Sequence, residues 1–168
     1  MKIIAVIGNA DDSHISKKVI RIAYEVGEEI AKSGSILLCG GMGGVMKAAC
    51  RGAISKKGMT VGVLPFLNKN IANRFVSIPI CSGMAIGMRD NIIIHSADAI
   101  IAIGGGSGTM GEIALAYMYK KPVIAISGTG GWANKLEGKY IDERKKTKII
   151  SAKTAKEAVR LALRGGNK

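Results

Sequence analysis

The sequence predicts an α/β protein: a Rossmann-like, doubly wound parallel sheet of about seven strands between two helical layers. Apolar runs alternate with segments of helical periodicity along all 168 residues, which is the order that builds parallel βαβ units. The runs at 36–39, 99–103 and 123–126 are continuously apolar, as strands are when helices cover both of their faces. Hydrophobic residues make up 48% of the chain, so we expect one domain over 1–168 with a single core.

Strands are predicted wherever a short apolar run lies between turn signals. Pro65 and Pro79 each follow such a run and are expected to end it, because proline donates no hydrogen bond to a neighbouring strand. Polar residues at 67–74 and glycines at 128–138 predict loops, and the tail 165–168 is expected to fray. The predicted strands are 2–7, 35–39, 60–64, 75–78, 99–103, 123–126 and 148–150.

Helices are predicted where apolar residues recur every three or four positions. The clearest is 16–33, which places residues such as Val19 and Val26 on one face. The last helix is expected to be capped by Ser151 or Thr154, since a hydroxyl can accept a bond from a free N–H group in the first turn. The other predicted helices are 44–57, 84–96, 107–120 and 154–163.

Two glycine-rich turns are the most informative feature of the chain. The first, GGMGG at 40–44, and the second, GGGSGT at 104–109, each join an apolar strand to a helix. Glycine permits a sharp turn and a close approach of a ligand, and the following helix offers unpaired N–H groups to an anion. Both turns fall at the carboxyl edge of the predicted sheet, where ligands of such folds bind. The pair therefore predicts a site for phosphate or another compact anion.

Arg89 and Glu112 are the side chains that we expect at this site. Arg89 lies near the start of a predicted helix, which a parallel crossover returns to the ligand edge, and Glu112 lies in the first turn of the next helix. A guanidinium can hold a phosphate with two hydrogen bonds, and a carboxylate beside it can act as a general base or stabilise developing positive charge. The alternatives are that Glu112 only caps its helix and that Arg89 only pairs with an acid such as Asp90.

The second turn, with Thr109 and Glu112, resembles the P-G-G-x-G-T-x-x-E signature of the LOG family, whose members were once misnamed lysine decarboxylases. The first turn is similar to the G-G-G-x-x-G-L-M element of that family, and Arg89 matches the arginine of its R-K motif. The resemblance implies a homodimeric, metal-independent phosphoribohydrolase that releases the base of a nucleoside 5'-monophosphate, with Arg89 and Glu112 catalytic. The residues expected to bind the phosphate or nucleotide are Gly41, Gly43, Gly44, Arg89, Asn91, Gly105, Gly106, Ser107, Gly108 and Thr109.

Two departures from this pattern point to a sister group. Asp90 stands where the LOG family has lysine, and Gly104 where it has proline. The run Arg89-Asp90-Asn91 looks closer to the molybdenum cofactor carrier proteins, which bind a phosphate-bearing pterin. The resemblance therefore leaves two functions open. The protein is either a hydrolase or a non-catalytic protein that carries a phosphorylated pterin or senses a nucleotide. Asn91 is expected either to contact a ribose hydroxyl or to bond neighbouring backbone.

The net charge of +13 makes nucleic acid a partner to consider. The densest basic run, 144–148, contains no aromatic residue and follows Asp142 and Glu143. We therefore favour a solvated face, or attraction for anionic small molecules, over a nucleic-acid-binding module. The G-x-G-x-x-G pattern at 106–111 lacks the acidic residue expected about 20 positions further on, which disfavours a dinucleotide.

The remaining composition indicates a cytoplasmic location. No apolar segment approaches the roughly 20 residues of a membrane-spanning helix. The three cysteines, Cys39, Cys50 and Cys81, lack the close spacing of a zinc site and cannot all pair with one another. Reduced thiols are typical of cytosolic proteins.

Overall fold

Seven parallel strands form one sheet at the centre of the computed structural model, which describes residues 1–165. The chain runs outward from the first strand to the fourth, returns to the other side of the first, and runs outward again. The order is β4-β3-β2-β1-β5-β6-β7. This arrangement confirms the predicted doubly wound fold. The strands are β1 (Ile3–Gly8), β2 (Ile36–Cys39), β3 (Thr60–Leu64), β4 (Ile78–Cys81), β5 (Ala99–Ile103), β6 (Val123–Ile126) and β7 (Ile150–Ala152).

Helices cover both faces of the sheet, which explains the continuously apolar strands. In β5, Ile101 and Ile103 pack into one hydrophobic cluster, and Ile100 and Ala102 pack into the other. The first cluster contains α1, α2 and α6, and the second contains α3, α4 and α5. The helices are α1 (Lys17–Lys32), α2 (Gly44–Ser55), α3 (Ile86–Ser96), α4 (Ser107–Met118), α5 (Gly131–Leu136) and α6 (Ala155–Leu163).

The strand order reverses between β1 and β5. These two strands are paired from Ile4 opposite Ala99 to Gly8 opposite Ile103. Their following loops therefore leave the same edge of the sheet and diverge to opposite helical layers. Such a divergence opens a crevice beyond the carboxyl ends of the strands, which is where ligands bind in doubly wound sheets.

Three predicted elements differ in the structure. The strand predicted at 75–78 is wrong, because the observed β4 begins at Ile78 and includes Pro79, which lies opposite Gly62 of β3. Proline is tolerated there because β4 is an edge strand. The predicted loop at 128–138 contains α5, and β7 starts two residues later than predicted. Most of the tail expected to fray, residues 166–168, lies outside the described residues.

Four helices end with a left-handed residue whose N–H group bonds to the carbonyl three residues earlier. In α1 and α6 this residue is Gly34 or Gly165, the residue type that adopts this backbone most easily. In α2 and α4 it is instead Lys57, with φ of 59°, and Lys120, with φ of 55°. For a residue with a Cβ, the left-handed backbone conformation costs about 1–2 kcal/mol relative to the right-handed one.

Two of the cysteines meet in the core. The Sγ atoms of Cys39, at the end of β2, and Cys50, in α2, are 3.5 Å apart, and both thiols are free. Within residues 1–165, no helix has the length and apolar character required to cross a bilayer.

Candidate functional site

A cavity of about 310 Å³ lies over the carboxyl ends of β1 and β5, at the reversal of strand order. Four segments that are distant in sequence form its wall: the loop after β1, the region of the first glycine turn, the start of α3 and the start of α4. The side chains and backbone that line it belong to Ile7, Gly8, Asn9, Ala10, Asp11, Met42, Met46, Ile86, Arg89, Asp90, Gly106, Ser107, Gly108, Thr109 and Glu112.

The second glycine turn presents free backbone donors to this cavity. Gly106 precedes α4 in an extended conformation, and no side chain caps the helix. The backbone N–H groups of 106–109 donate to no atom within residues 1–165. The positions that a Cβ would take on Gly106 and Gly108 have no neighbouring atom within 4 Å, so an approaching ligand meets open backbone.

Contacts from two other loops hold this turn in place. The Oδ1 atom of Asn9, after β1, accepts a bond of 2.7 Å from the N–H of Gly105. The hydroxyl of Thr129, after β6, accepts one of 3.0 Å from the N–H of Gly104. On the other side, the N–H of Trp132 donates to the carbonyl of Gly105 at 2.9 Å. These bonds fix the backbone next to residues 106–109 and so fix the direction of their free N–H groups.

The first glycine turn also joins a strand to a helix, but its backbone N–H groups already have hydrogen-bond acceptors within the chain. The N–H of Gly44 donates to Oδ1 of Asp12 at 2.8 Å, and the N–H of Val45 donates to the carbonyl of Asn9 at 2.9 Å. Lys47 pairs with the second oxygen of Asp12 at 3.3 Å. A carboxylate of the chain thus occupies the N-terminus of α2 in the way that a bound anion would.

The structure places several expected binding residues outside the cavity lining. Asn91 is exposed, and its Nδ2 donates to the carbonyl of Met88 at 3.4 Å. Asn91 thus bonds to neighbouring backbone, which is one of the two roles expected from the sequence. The others form the turns rather than the cavity surface, because their backbone groups bond or pack against neighbouring loops: Gly41, Gly43, Gly44 and Gly105. The remaining expected residues line the cavity, namely Arg89, Gly106, Ser107, Gly108, Thr109 and Glu112.

Arg89 is buried in the floor of the cavity, with 4% of its surface exposed. Its guanidinium packs on the backbone of Gly40, where a Cβ would lie only 2.3 Å from Nη2. Nη1 is 3.2 Å from Oδ1 of Asp90, so the ion pair considered from the sequence is present. Even so, Nε and Nη1 are buried and make no hydrogen bond within residues 1–165. Buried donors of this kind are rare because they carry a desolvation penalty that an acceptor would remove.

Glu112 lies on α4 beside this arginine and is partly buried. Burial raises the pKa of its carboxyl to about 8, and the nearby Asp90 carboxylate adds to the rise while Arg89 opposes it. The pKa of Asp90 is also raised by burial, against the influence of Arg89. Glu112 makes no capping bond to α4. It is therefore protonated at neutral pH, which favours a role as a proton donor over the base expected from the sequence.

The fold and this site define a Rossmann-like protein with a crevice at the reversal of strand order, the place where ligands bind in such folds. Within residues 1–165 no three His, Cys, Asp or Glu side chains are grouped to hold a metal ion. The chain belongs to the SLOG cluster4 family, whose model matches residues 1–159. This match confirms the resemblance to the LOG group that the two glycine turns indicate.

Known proteins support the same assignment. An uncharacterized protein of Archaeoglobus fulgidus is 45% identical over 120 residues, which cover 71% of this chain and 78% of that protein. The structure of the protein TM1055 is similar with a TM-score of 0.91 and 34% identity, covering 98% of this chain and 99% of that one.

Two further similar structures have a named ligand. The molybdenum cofactor binding protein of Rippkaea orientalis has a TM-score of 0.85 and 32% identity, covering 97% of this chain and 96% of that one. The molybdenum cofactor carrier protein of Chlamydomonas reinhardtii has a TM-score of 0.82 and 35% identity, covering 97% and 98%.

Three residues that organise the site are not identified by the sequence reasoning. Asn9 bonds to both glycine turns, Asp12 caps α2, and Thr129 supports the second turn. Asn9 has the clearest signal, because it follows a glycine at the end of the first strand. The other two carry no signal that separates them from ordinary loop residues.

Proposed function

We propose that the protein is a non-catalytic carrier of a phosphorylated small molecule, with a phosphorylated pterin of the molybdenum cofactor type as the first candidate. One observation carries the proposal. Arg89 lines the same cavity as the free N–H groups of 106–109, and its buried Nε and Nη1 atoms make no hydrogen bond within residues 1–165. A phosphate has enough oxygens to accept from both the guanidinium and the backbone donors.

The shape of the cavity fits such a ligand. A volume of about 310 Å³ is at the lower end of the range of small-molecule sites. Its polar side contains the start of α4, Arg89 and the carboxyl groups of Asp11, Asp90 and Glu112, while Met42, Met46 and Ile86 supply an apolar wall. A phosphate bound at the polar side would direct a planar ring toward this wall. Methionine side chains adapt readily to flat ligands of different outline.

The similar proteins favour a carrier over an enzyme. Two of the similar structures are named as binding or carrying the molybdenum cofactor, at 32% and 35% identity. The arginine is followed by Asp90, where the hydrolytic group has lysine. Asp90 lies 3.2 Å from the guanidinium, so it partly neutralises the cation that a hydrolase would use to hold its substrate.

Calorimetric titration tests the carrier function. The ligands are a phosphorylated pterin, AMP and inorganic phosphate, and the variants are wild type, Arg89→Met and Arg89→Lys. We expect the phosphorylated pterin to bind most tightly, Arg89→Met to weaken binding by about 100-fold, and Arg89→Lys to restore part of it. Absence of binding by any phosphorylated ligand, in a protein that remains folded by circular dichroism, would overturn the proposal.

Hydrolysis of a nucleoside 5'-monophosphate is the second candidate function, and the raised pKa of Glu112 favours it. A carboxyl whose pKa is raised to about 8 can donate its proton to the departing base while water attacks C1' and the N-glycosidic bond breaks. The products are the free base and ribose 5-phosphate. Incubation with a panel of monophosphates, followed by chromatography for free base, decides the matter. Base release that Glu112→Gln abolishes would support the enzyme, and no release by the wild type would exclude it.

We also propose that the protein forms a homodimer through α3 and α4, next to the cavity. The first turns of these helices expose Met88 by 63% and Met110 by 37%. Exposed apolar side chains grouped on a small protein commonly mark an interface. Light scattering is expected to give twice the chain mass, and Met88→Glu with Met110→Glu is expected to give monomers. A monomeric wild type at micromolar concentration would contradict this assembly.

A further inference from the structure

The edge of the sheet opposite the cavity carries lysines in an unusual backbone conformation. Four residues other than glycine within 1–165 have positive φ, and three of them are Lys57, Lys120 and Lys145. Lys57 ends α2 and Lys120 ends α4, while Lys145 closes the turn that begins at Asp142. All three precede strands, so they lie at the amino edge of the parallel sheet. We call this surface, with Lys146 and Lys148, the basic edge.

The same turn elsewhere in the chain contains glycine. The helices α1 and α6 reach it with Gly34 and Gly165, whose N–H groups make the same bond to the carbonyl three residues earlier. A cation is attracted to the C-terminus of a helix, but this attraction does not require a lysine at the left-handed position itself. Lys56, adjacent to Lys57, and Lys121, adjacent to Lys120, already place cations at these helix ends.

The cations of the basic edge also lack partners. Within residues 1–165 no carboxylate lies within salt-bridge distance of any of its five lysines. Three nearby acids pair with other cations: Glu28 with Lys56, Glu29 with Lys32 and Asp142 with Arg144. The basic edge therefore has an uncompensated positive charge that an anionic partner can neutralise.

Part of the basic edge is concave. A cavity of about 210 Å³ lies between the starts of β6 and β7, and Lys120, Lys146 and Lys148 contribute to its lining. Tyr119, next to Lys120, is exposed by 50%, and its ring meets that of His95 edge-on with centroids 4.1 Å apart. An exposed aromatic ring beside lysines offers a stacking surface for a base.

The basic edge is long enough to follow a nucleic acid backbone. Lys57 precedes β3 and Lys145 precedes β7, and these strands are separated by five spacings in the sheet order. At about 4.8 Å for each spacing, the row spans roughly 24 Å. Phosphates recur about every 3.4 Å along one strand of a duplex, and further apart in an extended single strand, so the row can contact several consecutive phosphates. An acidic protein surface fits less well, because lysine is depleted from the centres of protein interfaces.

We propose that the basic edge binds the phosphate backbone of single-stranded nucleic acid without sequence preference. Neither the carrier function nor the dimer is required for this binding, since the basic edge is at the opposite end of the sheet from the cavity. The proposal replaces the expectation that the excess positive charge is only a solvated face. The folded chain gathers lysines from three sequence-distant turns onto one edge.

The test measures fluorescence anisotropy of a labelled 20-nucleotide DNA strand from 50 to 300 mM salt. The test variant is Lys57→Gly with Lys120→Gly and Lys145→Gly, in which glycine relieves the left-handed strain and should preserve or raise Tm. The matched control removes the same charge from the opposite edge: Lys17→Gln, Lys153→Gln and Lys156→Gln. Lys17, Lys153 and Lys156 are all exposed.

We expect the test variant to lose about tenfold or more in affinity at 50 mM salt, and its log–log salt slope to fall by about 2. The control should lose less than about threefold. Three results would overturn the proposal: no binding by the wild type at 50 mM salt, an equal loss in the control, or equally strong competition by polyglutamate, which would indicate an acidic protein partner.

Discussion

The two glycine turns have the same design and opposite environments. Both follow a central strand, both begin a helix, and both lie at the carboxyl edge of the sheet. At the first turn, Asp12 and the carbonyl of Asn9 accept the N–H groups of Gly44 and Val45. At the second, the N–H groups of 106–109 have no acceptor within residues 1–165 and face a cavity.

The difference shows that a glycine-rich strand–helix turn does not by itself identify a binding site. A helix N-terminus attracts an anion whether the anion is a ligand or a side chain of the same chain. Which of these occurs depends on the loop that packs against the turn. The loop after β1 places the Asp12 carboxylate on the N–H group of Gly44 in α2. At the second turn the same loop contributes the amide oxygen of Asn9, which bonds to Gly105 and not to the free N–H groups of 106–109.

The largest effect is expected from matched alanine substitutions in the two turns. Gly44 has φ of 61° and a Cβ there would lie 2.1 Å from the carbonyl oxygen of Asn9, so Gly44→Ala should destabilise the fold by about 3 kcal/mol. Gly108 has open space at its Cβ position, so Gly108→Ala should raise the unfolding free energy by up to about 1 kcal/mol.

Thermal unfolding of the two variants checks this prediction, with a shift of roughly 2–4 °C expected for each kcal/mol in a chain of this size. The stabilised Gly108→Ala should nevertheless bind phosphorylated ligands more weakly, because its methyl group projects from open backbone at the cavity. Equal loss of stability in both variants would contradict the contrast between the turns.

The next largest effect is expected on ligand affinity in Arg89→Met. Two charge-assisted hydrogen bonds are worth about 3 kcal/mol together, so affinity for a phosphorylated ligand should fall by about 100-fold. Titration calorimetry measures the loss. Met42→Leu provides a control at the apolar wall, where only a small change is expected. Unchanged affinity in Arg89→Met would show that the buried guanidinium serves the fold alone.

A smaller effect distinguishes the two helix N-termini directly. Ser107→Pro removes one N–H group at the first position of α4, where proline fits a helix and the preceding Gly106 is already extended. It should weaken ligand binding by about tenfold with little change in Tm. Asp12→Asn at the first turn should do the reverse, lowering stability by about 1 kcal/mol with affinity unchanged. Calorimetry measures the affinities of both variants, and thermal unfolding measures their stabilities. Lower stability in Ser107→Pro together with weaker binding in Asp12→Asn would contradict the prediction.

The last effect concerns pH and Glu112, and it is spread over several pH units. The folded protein holds the Glu112 proton up to a pKa of about 8, whereas the unfolded chain releases it near 4.5, the ordinary pKa of a glutamate side chain. The free energy of unfolding should therefore fall as pH rises from about 4.5 to about 8, and this contribution should be constant above that range. Denaturant titrations across pH test it, and Glu112→Gln should remove this component. A variant with the same pH dependence as the wild type would refute it.

Most of the fold could be predicted because burial on both faces leaves a plain signal in the strands. The predicted and observed limits agree for β3, β5 and β6. The strand β4 was missed because Pro79 normally ends a strand, and the sequence does not show that this one lies at an edge. The helix α5 was missed because glycines flank it, and its stability comes from contacts with the second turn.

The site was predicted in part for a similar reason. Arg89, Glu112 and the second turn carry local motifs, so their convergence follows from the parallel topology. The different fate of the first turn depends on Asp12, whose carboxylate reaches Gly44 from 32 positions away in sequence. The gathering of Lys57, Lys120 and Lys145 on one edge likewise exists only in the folded chain.

Amide chemical shifts in ¹⁵N-labelled protein test the contrast between the turns most directly. During titration with a phosphorylated pterin or AMP, we expect the amides of 106–109 to shift in a saturable manner while those of Gly44 and Val45 remain in place. Saturable shifts of equal or larger size at Gly44 and Val45 would mean that ligand displaces Asp12. That result would contradict the assignment of the anion site to the second turn alone.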